Sequence, residues 1–190
     1  MDSVQRKSNV GYLELIIGPM FSGKTTHIIQ LHKHYSLANM KVLAINYKND
    51  NRYDDVGNIT NHNHVKIDSS NVLMLSEVES ETIKSADVIL INEGQFFKDI
   101  YDFTYNAVEN FNKIVHICGL DGDFERNVFG DLYKLIPFCD KITKKKSICK
   151  LCSDGTHALF SKRMSSSKEQ TLIGSGDLYI PVCRSCYKKN

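Results

Sequence analysis

Three groups of residues in this chain have types and spacings that fit defined chemistry. The first is Gly18-Pro19-Met20-Phe21-Ser22-Gly23-Lys24-Thr25, which satisfies G-x-x-x-x-G-K-[ST] at each required position. Glycines let a backbone curl until its N–H groups point at phosphate oxygens. A helix starting at that point adds positive partial charge. Lys24 is expected to reach the β- and γ-phosphates of a nucleoside triphosphate, and the Thr25 hydroxyl to ligate Mg²⁺.

The second group is Asn92-Glu93-Gly94-Gln95, directly after the apolar run Asp87 to Ile91. Ligands in open α/β sheets sit at strand ends. Glu93 is the nearest candidate general base, a role that requires hydrogen-bond reach to the hydroxyl it deprotonates. The competing reading is a solvated loop acid. Phe96 and Phe97 follow, and either close the core or line a pocket.

The third group is Cys149-x-x-Cys152 and Cys183-x-x-Cys186. Four thiolates fit tetrahedral Zn²⁺, and a closed four-sulfur site leaves no position for water, so the zinc is expected to be structural. About thirty residues separate the pairs, which encloses a loop rather than a tight hairpin. Buried thiol pairs without metal are the alternative.

These groups need a scaffold, and the apolar pattern supplies one. Tyr12 to Ile17 reads as a buried strand, and Lys24 to Asn39 as a helix with Ile28, Leu31 and Tyr35 on one face. Lys41 to Asn46, Asp87 to Ile91 and Lys113 to Leu120 read as further strands, and Asp99 to Phe111 as a helix. Tyr47 to His64 is polar and reads as loop with short extended pieces. Strands alternating with helices predict an α/β fold, a mostly parallel sheet with helices on both faces. The pattern changes after Pro137. We expect residues 1–140 to form a nucleotide-binding unit and 141–190 a small zinc-ribbon unit.

Composition limits the alternatives. The chain has 190 residues, 42% of them hydrophobic, and a formal net charge of +2. It is long enough for a packed core, and its charge makes no case for binding nucleic acid or a membrane surface. The basic run Lys144-Lys145-Lys146 reads as solvated surface. No apolar run approaches the ~20 residues of a membrane helix, and the N-terminal residues carry no apolar signal core. A cytoplasmic protein is expected.

Taken together, Gly18 to Thr25, Asp50-Asn51-Arg52-Tyr53, Glu93-Gly94-Gln95-Phe96-Phe97, Leu120-Asp121-Gly122-Asp123-Phe124 and the cysteine pairs resemble the zinc-containing thymidine kinase family of cellular, poxviral and bacterial type. The resemblance runs from about Tyr12 to Tyr187. It implies transfer of a phosphoryl group from ATP, with Mg²⁺, to the 5′-hydroxyl of thymidine. It implies Glu93 as base, Lys24 with Thr25 at the phosphates and metal, and Arg52 beside the reacting phosphoryl group. The ATP side would comprise Gly18 to Thr25, Asp50, Asn51, Arg52, and Asn92 to Gln95. Met20, Phe96, Leu120, Phe124 and Phe129 would surround the thymine, with Phe124 as stacking partner. A lid pinned by the zinc site would add Ser161, Gln170, Thr171, Leu172, Ile173, Gly174 and Tyr179. The resemblance also implies a homotetramer and inhibition by thymidine triphosphate.

Two departures from the family pattern stand out. Asn92 occupies a position where the family usually has aspartate, which implies a weaker metal site. Asp123 and Glu125 are less usual neighbours of Phe124 and could alter acceptor affinity. Two other functions were weighed. A nucleoside monophosphate kinase calls for several arginines to grip a phosphorylated acceptor, and the five here are scattered. An ATP-driven zinc-ribbon protein acting on nucleic acid sits poorly with near-neutral charge.

Overall fold

The computed structural model describes residues 10–50, 57–61, 63–167, 169–170 and 178–189. In chain order the elements are β1 (Tyr12–Ile17), α1 (Lys24–Leu37), β2 (Val42–Tyr47), β3 (Asn58–Thr60), β4 (Lys66–Asp68), β5 (Ser70–Val72), α2 (Ser80–Ser85) and β6 (Val88–Ile91). There follow α3 (Ile100–Tyr105), β7 (Ile114–Gly119), β8 (Lys141–Lys144), β9 (Ser147–Ile148), β10 (His157–Ala158), β11 (Phe160–Arg163), β12 (Tyr179–Val182) and α4 (Arg184–Lys188).

Six strands form the central sheet in the order β5-β2-β6-β7-β1-β8, and each neighbouring pair is parallel. Side chains alternate across such a sheet, and the two faces build separate cores. Leu13 and Leu15 of β1 pack with Val115 and Ile117 of β7, Ile100 of α3 and Leu132. Ile16 of β1 faces the other way, toward Ile28, Leu31 and Tyr35 of α1. The helical face expected from Ile28, Leu31 and Tyr35 is therefore the buried one.

Two boundaries depart from the sequence pattern. The helix expected to reach Phe111 ends its α-geometry at Tyr105 and continues as a π-turn over Asn106–Asn110. The strand β8 lies beyond the division drawn at Asp140, yet it is the edge strand paired with β1. Lys141, Ile142 and Lys144 are exposed, so no apolar run marked it.

A buried polar cluster lies under α1. Glu14 of β1 and His116 of β7 meet at 3.0 Å (Oε2 to Nδ1), and His116 Nε2 lies 2.9 Å from the Tyr35 hydroxyl. Thr143 of β8 donates to Glu14 Oε1 at 2.6 Å. Burial pushes the Glu14 carboxyl upward, but the hydrogen bonds from His116 and Thr143 and the charges of His116 and Lys141 outweigh it and hold it at about 2. The cluster fastens the edge strand to the strand that leads into the glycine loop.

The remaining strands pair as three antiparallel two-stranded sheets: β3 with β4, β9 with β10, and β11 with β12. The last two carry the cysteine pairs. Among the described residues, no helix is long and apolar enough to cross a membrane.

Candidate active site

The loop Gly18 to Thr25 joins β1 to α1. Gly18 has φ 150°, and a Cβ there would lie 2.5 Å from the Lys145 carbonyl oxygen. Gly23 caps α1 in the left-handed region, φ 76° and ψ 27°, a conformation that costs other residues energy. Lys24 is 7% exposed, and its ammonium donates to the Pro19 carbonyl at 2.7 Å. The C-terminal half braces this loop. Lys145 N–H donates to the Ile17 carbonyl at 2.8 Å, the Ser147 hydroxyl to Phe21 O at 2.9 Å, and Met20 N–H to Ser161 Oγ at 2.9 Å.

The loop opens onto a cavity that Met20, Lys24, Thr25, Asn61, Glu93 and Leu120 help to line. Ser22 Oγ is buried without a hydrogen-bond partner among the described residues. A cavity formed by a curled main chain, a helix start, a lysine and an unpaired hydroxyl fits an anion such as a phosphate chain.

Glu93 follows β6 at φ 55° and ψ 42°, an unusual left-handed position for a non-glycine residue. That backbone turn accompanies a buried carboxylate on the cavity wall. Gln95 Nε2 donates to Glu93 Oε2 at 2.7 Å, and Gln95 Oε1 accepts from Leu120 N–H at 3.0 Å. One chain of contacts thus orients the acid and ties it to the segment after β7. Asn92, only 2% exposed, faces the interior. Its Nδ2 donates to Asn46 Oδ1 at 2.9 Å, and its Oδ1 accepts from Cys118 Sγ at 3.0 Å.

The two adjacent aromatics divide their roles. Phe97 is core, 1% exposed. Phe96 is half-buried, with its ring stacked on Tyr47 at 4.9 Å and edge-on to Phe129 at 5.5 Å. Phe129 and Leu120 share an apolar hollow with Val128, Leu132 and Ile136. Leu120 lines both cavities and so adjoins the glycine loop and the aromatic group.

Phe124 stands apart from that group. Its ring centroid is 3.7 Å from the Arg163 guanidinium carbon, and its carbonyl accepts from the Tyr187 hydroxyl at 2.7 Å. Tyr179 is buried and hydrogen-bonded through its hydroxyl to Arg163. Gln170 Nε2 donates to Asp123 Oδ2 at 2.8 Å. Asp50 is held by its own N–H to Tyr47 O at 3.0 Å. Asn51, Arg52, Thr171, Leu172, Ile173 and Gly174 lie outside the described residues.

The sulfur atoms of Cys149, Cys152, Cys183 and Cys186 all lie within 4.8 Å of one another. Cys152 Sγ is 3.4 Å from Cys186 Sγ and 3.8 Å from Cys183 Sγ. Four sulfurs at ~2.3 Å from one ion would sit about 3.8 Å apart, so the cluster fits tetrahedral zinc. Main-chain N–H groups point at these sulfurs, Cys183 N to Cys149 Sγ at 3.2 Å and Cys186 N to Cys183 Sγ at 3.4 Å. Burial raises the Cys149 thiol, but the N–H groups of Cys183, Cys152 and Leu151 outweigh it and bring it to about 6. Hydrogen bonding with Cys186, Cys149 and Cys183 pushes Cys152 up to about 12. The cluster favours one thiolate and resists more, which is the situation a bound dication relieves.

Residues that sequence reasoning passed over include Asn61, which reaches the cavity from the strand β3 side and donates to Thr26 Oγ1 at 3.3 Å. Ser147 and Arg163 are two more. Asn61 meets Thr26, Ser147 meets Phe21 and Arg163 meets Phe124, each across a long stretch of sequence that no local pattern spans.

A family model described as thymidine kinase matches residues 11–187. The chain is 44% identical over 177 residues to the thymidine kinase of Sheeppox virus (strain KS-1), covering 93% of this chain and 97% of that protein. It is 40% identical over 179 residues to the thymidine kinase of Monkeypox virus, covering 94% and 98%. It is also 40% identical over 182 residues to the thymidine kinase of Yaba monkey tumor virus (strain VR587), covering 96% and 97%.

Proposed function

The chain belongs to the thymidine kinase family, and on that premise we propose that it transfers the γ-phosphoryl group of ATP to the 5′-hydroxyl of thymidine. One observation carries the chemical part of this reading. Lys24 and Thr25 from the glycine loop and Glu93 from the end of β6 line the same cavity.

The Gly18 to Thr25 loop would act as the P-loop, its N–H groups and Lys24 holding the phosphates. Thr25 would hold Mg²⁺ together with phosphate oxygens, and that ion would supply charge neutralisation at the transferring group. Glu93 would accept the 5′-hydroxyl proton as that oxygen bonds to the γ-phosphorus and the bond to ADP breaks. Gln95 would keep the Glu93 carboxylate turned toward the cavity. Met20, Leu120, Phe96 and Phe129 would form the apolar surroundings of the base, and Phe124 would offer its ring for stacking. Arg52, Asp50 and Asn51 would lie by the phosphates, and Ser161, Tyr179 and the segment Gln170 to Gly174 on the acceptor side. The four cysteines would hold a structural Zn²⁺. We further propose a cytoplasmic homotetramer inhibited by thymidine triphosphate.

The test is direct. The zinc-loaded chain is incubated with ATP, Mg²⁺ and single nucleosides, and ADP and nucleotide products are measured. Thymidine-dependent ADP with equimolar thymidine monophosphate is expected. ADP that rises with added DNA, and not with thymidine, would contradict the proposal.

A further inference from the structure

Arg163 ends β11 and is 8% exposed, an uncommon state for an arginine. Its donors are used in three directions. Nε donates to the Tyr179 hydroxyl at 3.1 Å, and Nη2 donates to the same oxygen. Nη1 donates to the main-chain carbonyls of Ser167, at 3.1 Å, and Glu169. Nη2 also reaches the Gln170 carbonyl at 3.3 Å. The flat guanidinium face lies over the Phe124 ring. A planar, delocalised cation with five donors can make all of these contacts at once, which an ammonium cannot.

A second tie runs beside the first. Gln170 Nε2 donates to Asp123 Oδ2 at 2.8 Å and to the Val128 carbonyl at 3.2 Å. The other Asp123 oxygen accepts from the N–H groups of Glu125 and Asn127 at 2.9 and 2.8 Å. The turn that carries Phe124 is thus fixed to Ser167, Glu169 and Gln170 through Arg163 and to Gln170 directly.

We propose that Arg163 is a positioning residue for the acceptor nucleoside, with the Gln170–Asp123 hydrogen bond as its auxiliary. Arg163 sets the plane of the Phe124 ring and the position of the Tyr179 hydroxyl, and holds the main chain of Ser167, Glu169 and Gln170 against them. None of these contacts reaches the cavity of Lys24 and Glu93, so Arg163 acts on acceptor binding rather than on phosphoryl transfer. A side already ordered before binding loses less entropy when ligand arrives. The inference rests on the reading that Phe124 and Tyr179 face thymidine.

The experiment compares wild type with Arg163→Ala, Arg163→Lys and Gln170→Ala, all zinc-loaded, in steady-state assays that vary thymidine and ATP separately. For Arg163→Ala the KM for thymidine is expected to rise roughly 10- to 100-fold, the worth of one or two lost charged hydrogen bonds. Its kcat and its KM for ATP should stay within about threefold, a split that marks lost acceptor binding. Arg163→Lys should fall between, and Gln170→Ala should raise the KM for thymidine about 3- to 10-fold. An unchanged KM for thymidine in Arg163→Ala overturns the inference. If Arg163→Ala loses zinc or unfolds, the other two variants decide, and an unchanged KM in both overturns it. A kcat loss at saturating thymidine with unchanged KM also overturns it, placing Arg163 in the chemical step. A wild type without thymidine-dependent turnover overturns the function itself and takes the inference with it.

Discussion

The glycine-loop side and the Phe124 side of this molecule are built in different ways. On the first, strand, loop and helix follow one another within 26 residues, from Tyr12 to Leu37, and local backbone geometry does most of the positioning. On the second, Phe124 meets Arg163, Gln170 meets Asp123, and Tyr187 meets the Phe124 carbonyl. Those partners are separated by dozens of residues, and Tyr187 among them packs against the cysteine cluster. One side is set by the chain's own local conformation. The other is tertiary, built beside a four-cysteine cluster that fits a metal ion.

That contrast gives predictions of decreasing size. Stripping zinc with a chelator, or making Cys183→Ser, should abolish thymidine-dependent turnover. Structural zinc contributes ~10 kcal/mol or more to small domains. ATP binding, measured by calorimetry or dye displacement, should be retained more than turnover, because Gly18 to Lys24 joins β1 of the central sheet to α1. Equal loss of both would show that the two sides are one cooperative unit.

Phe124→Ala should raise the KM for thymidine about tenfold, the loss of one aromatic contact of about 1 kcal/mol and its buried area. The KM for ATP is expected to stay put. If both constants move together, Phe124 supports the fold of the site rather than the base.

A third prediction concerns the acid side of the stability profile. Glu14 has its ordinary value of 4.5 lowered to about 2 in the folded chain. A lowered carboxyl contributes stability that is fully present above its unfolded value and fades as pH falls toward the folded one. Thermal stability should therefore decline between about pH 4.5 and pH 2. Glu14→Gln should flatten that part of the slope, seen by calorimetry or circular dichroism at stepped pH. An unchanged slope would remove Glu14 from the link between β8 and β1.

The smallest effect is expected at Asn92. Both ends of its amide are engaged, with Asn46 and Cys118. Asn92→Asp surrenders the donor to Asn46 and should cost about 1 kcal/mol of stability. The Mg²⁺ concentration for half-maximal turnover should move less than about twofold, under half a kcal/mol. A large drop in that concentration would show the added charge reaching the metal and support the weaker-metal reading of Asn92.

How much was legible in the sequence follows the same division. The pattern at Gly18 to Thr25, the Tyr35 face of α1, the strand ahead of Glu93 and the spacing of the four cysteines all depend on near neighbours. Each of these stands in the structure where the pattern placed it, with the four sulfurs in one cluster. The edge strand β8 escaped notice because Lys141 and Lys144 face solvent, so it lacks the apolar run of a central strand. The helix expected over Asp99 to Phe111 is present, its second half in π-geometry, which keeps helical periodicity nearly intact while changing the hydrogen bonds. Arg163 and Asn61 carry no motif, since the contacts with Phe124 and Thr26 that place them at the site are made across long stretches of sequence.

The central claim is that Glu93 is the base that couples the glycine loop to the acceptor. Glu93→Gln keeps the size of the side chain and removes the basic oxygen, so the measurement is kcat at saturating ATP and thymidine beside the Kd for ATP. The account predicts a kcat lower by about 10²- to 10⁴-fold, the range for one general base, with the Kd for ATP within about twofold. A kcat within threefold of wild type would contradict it.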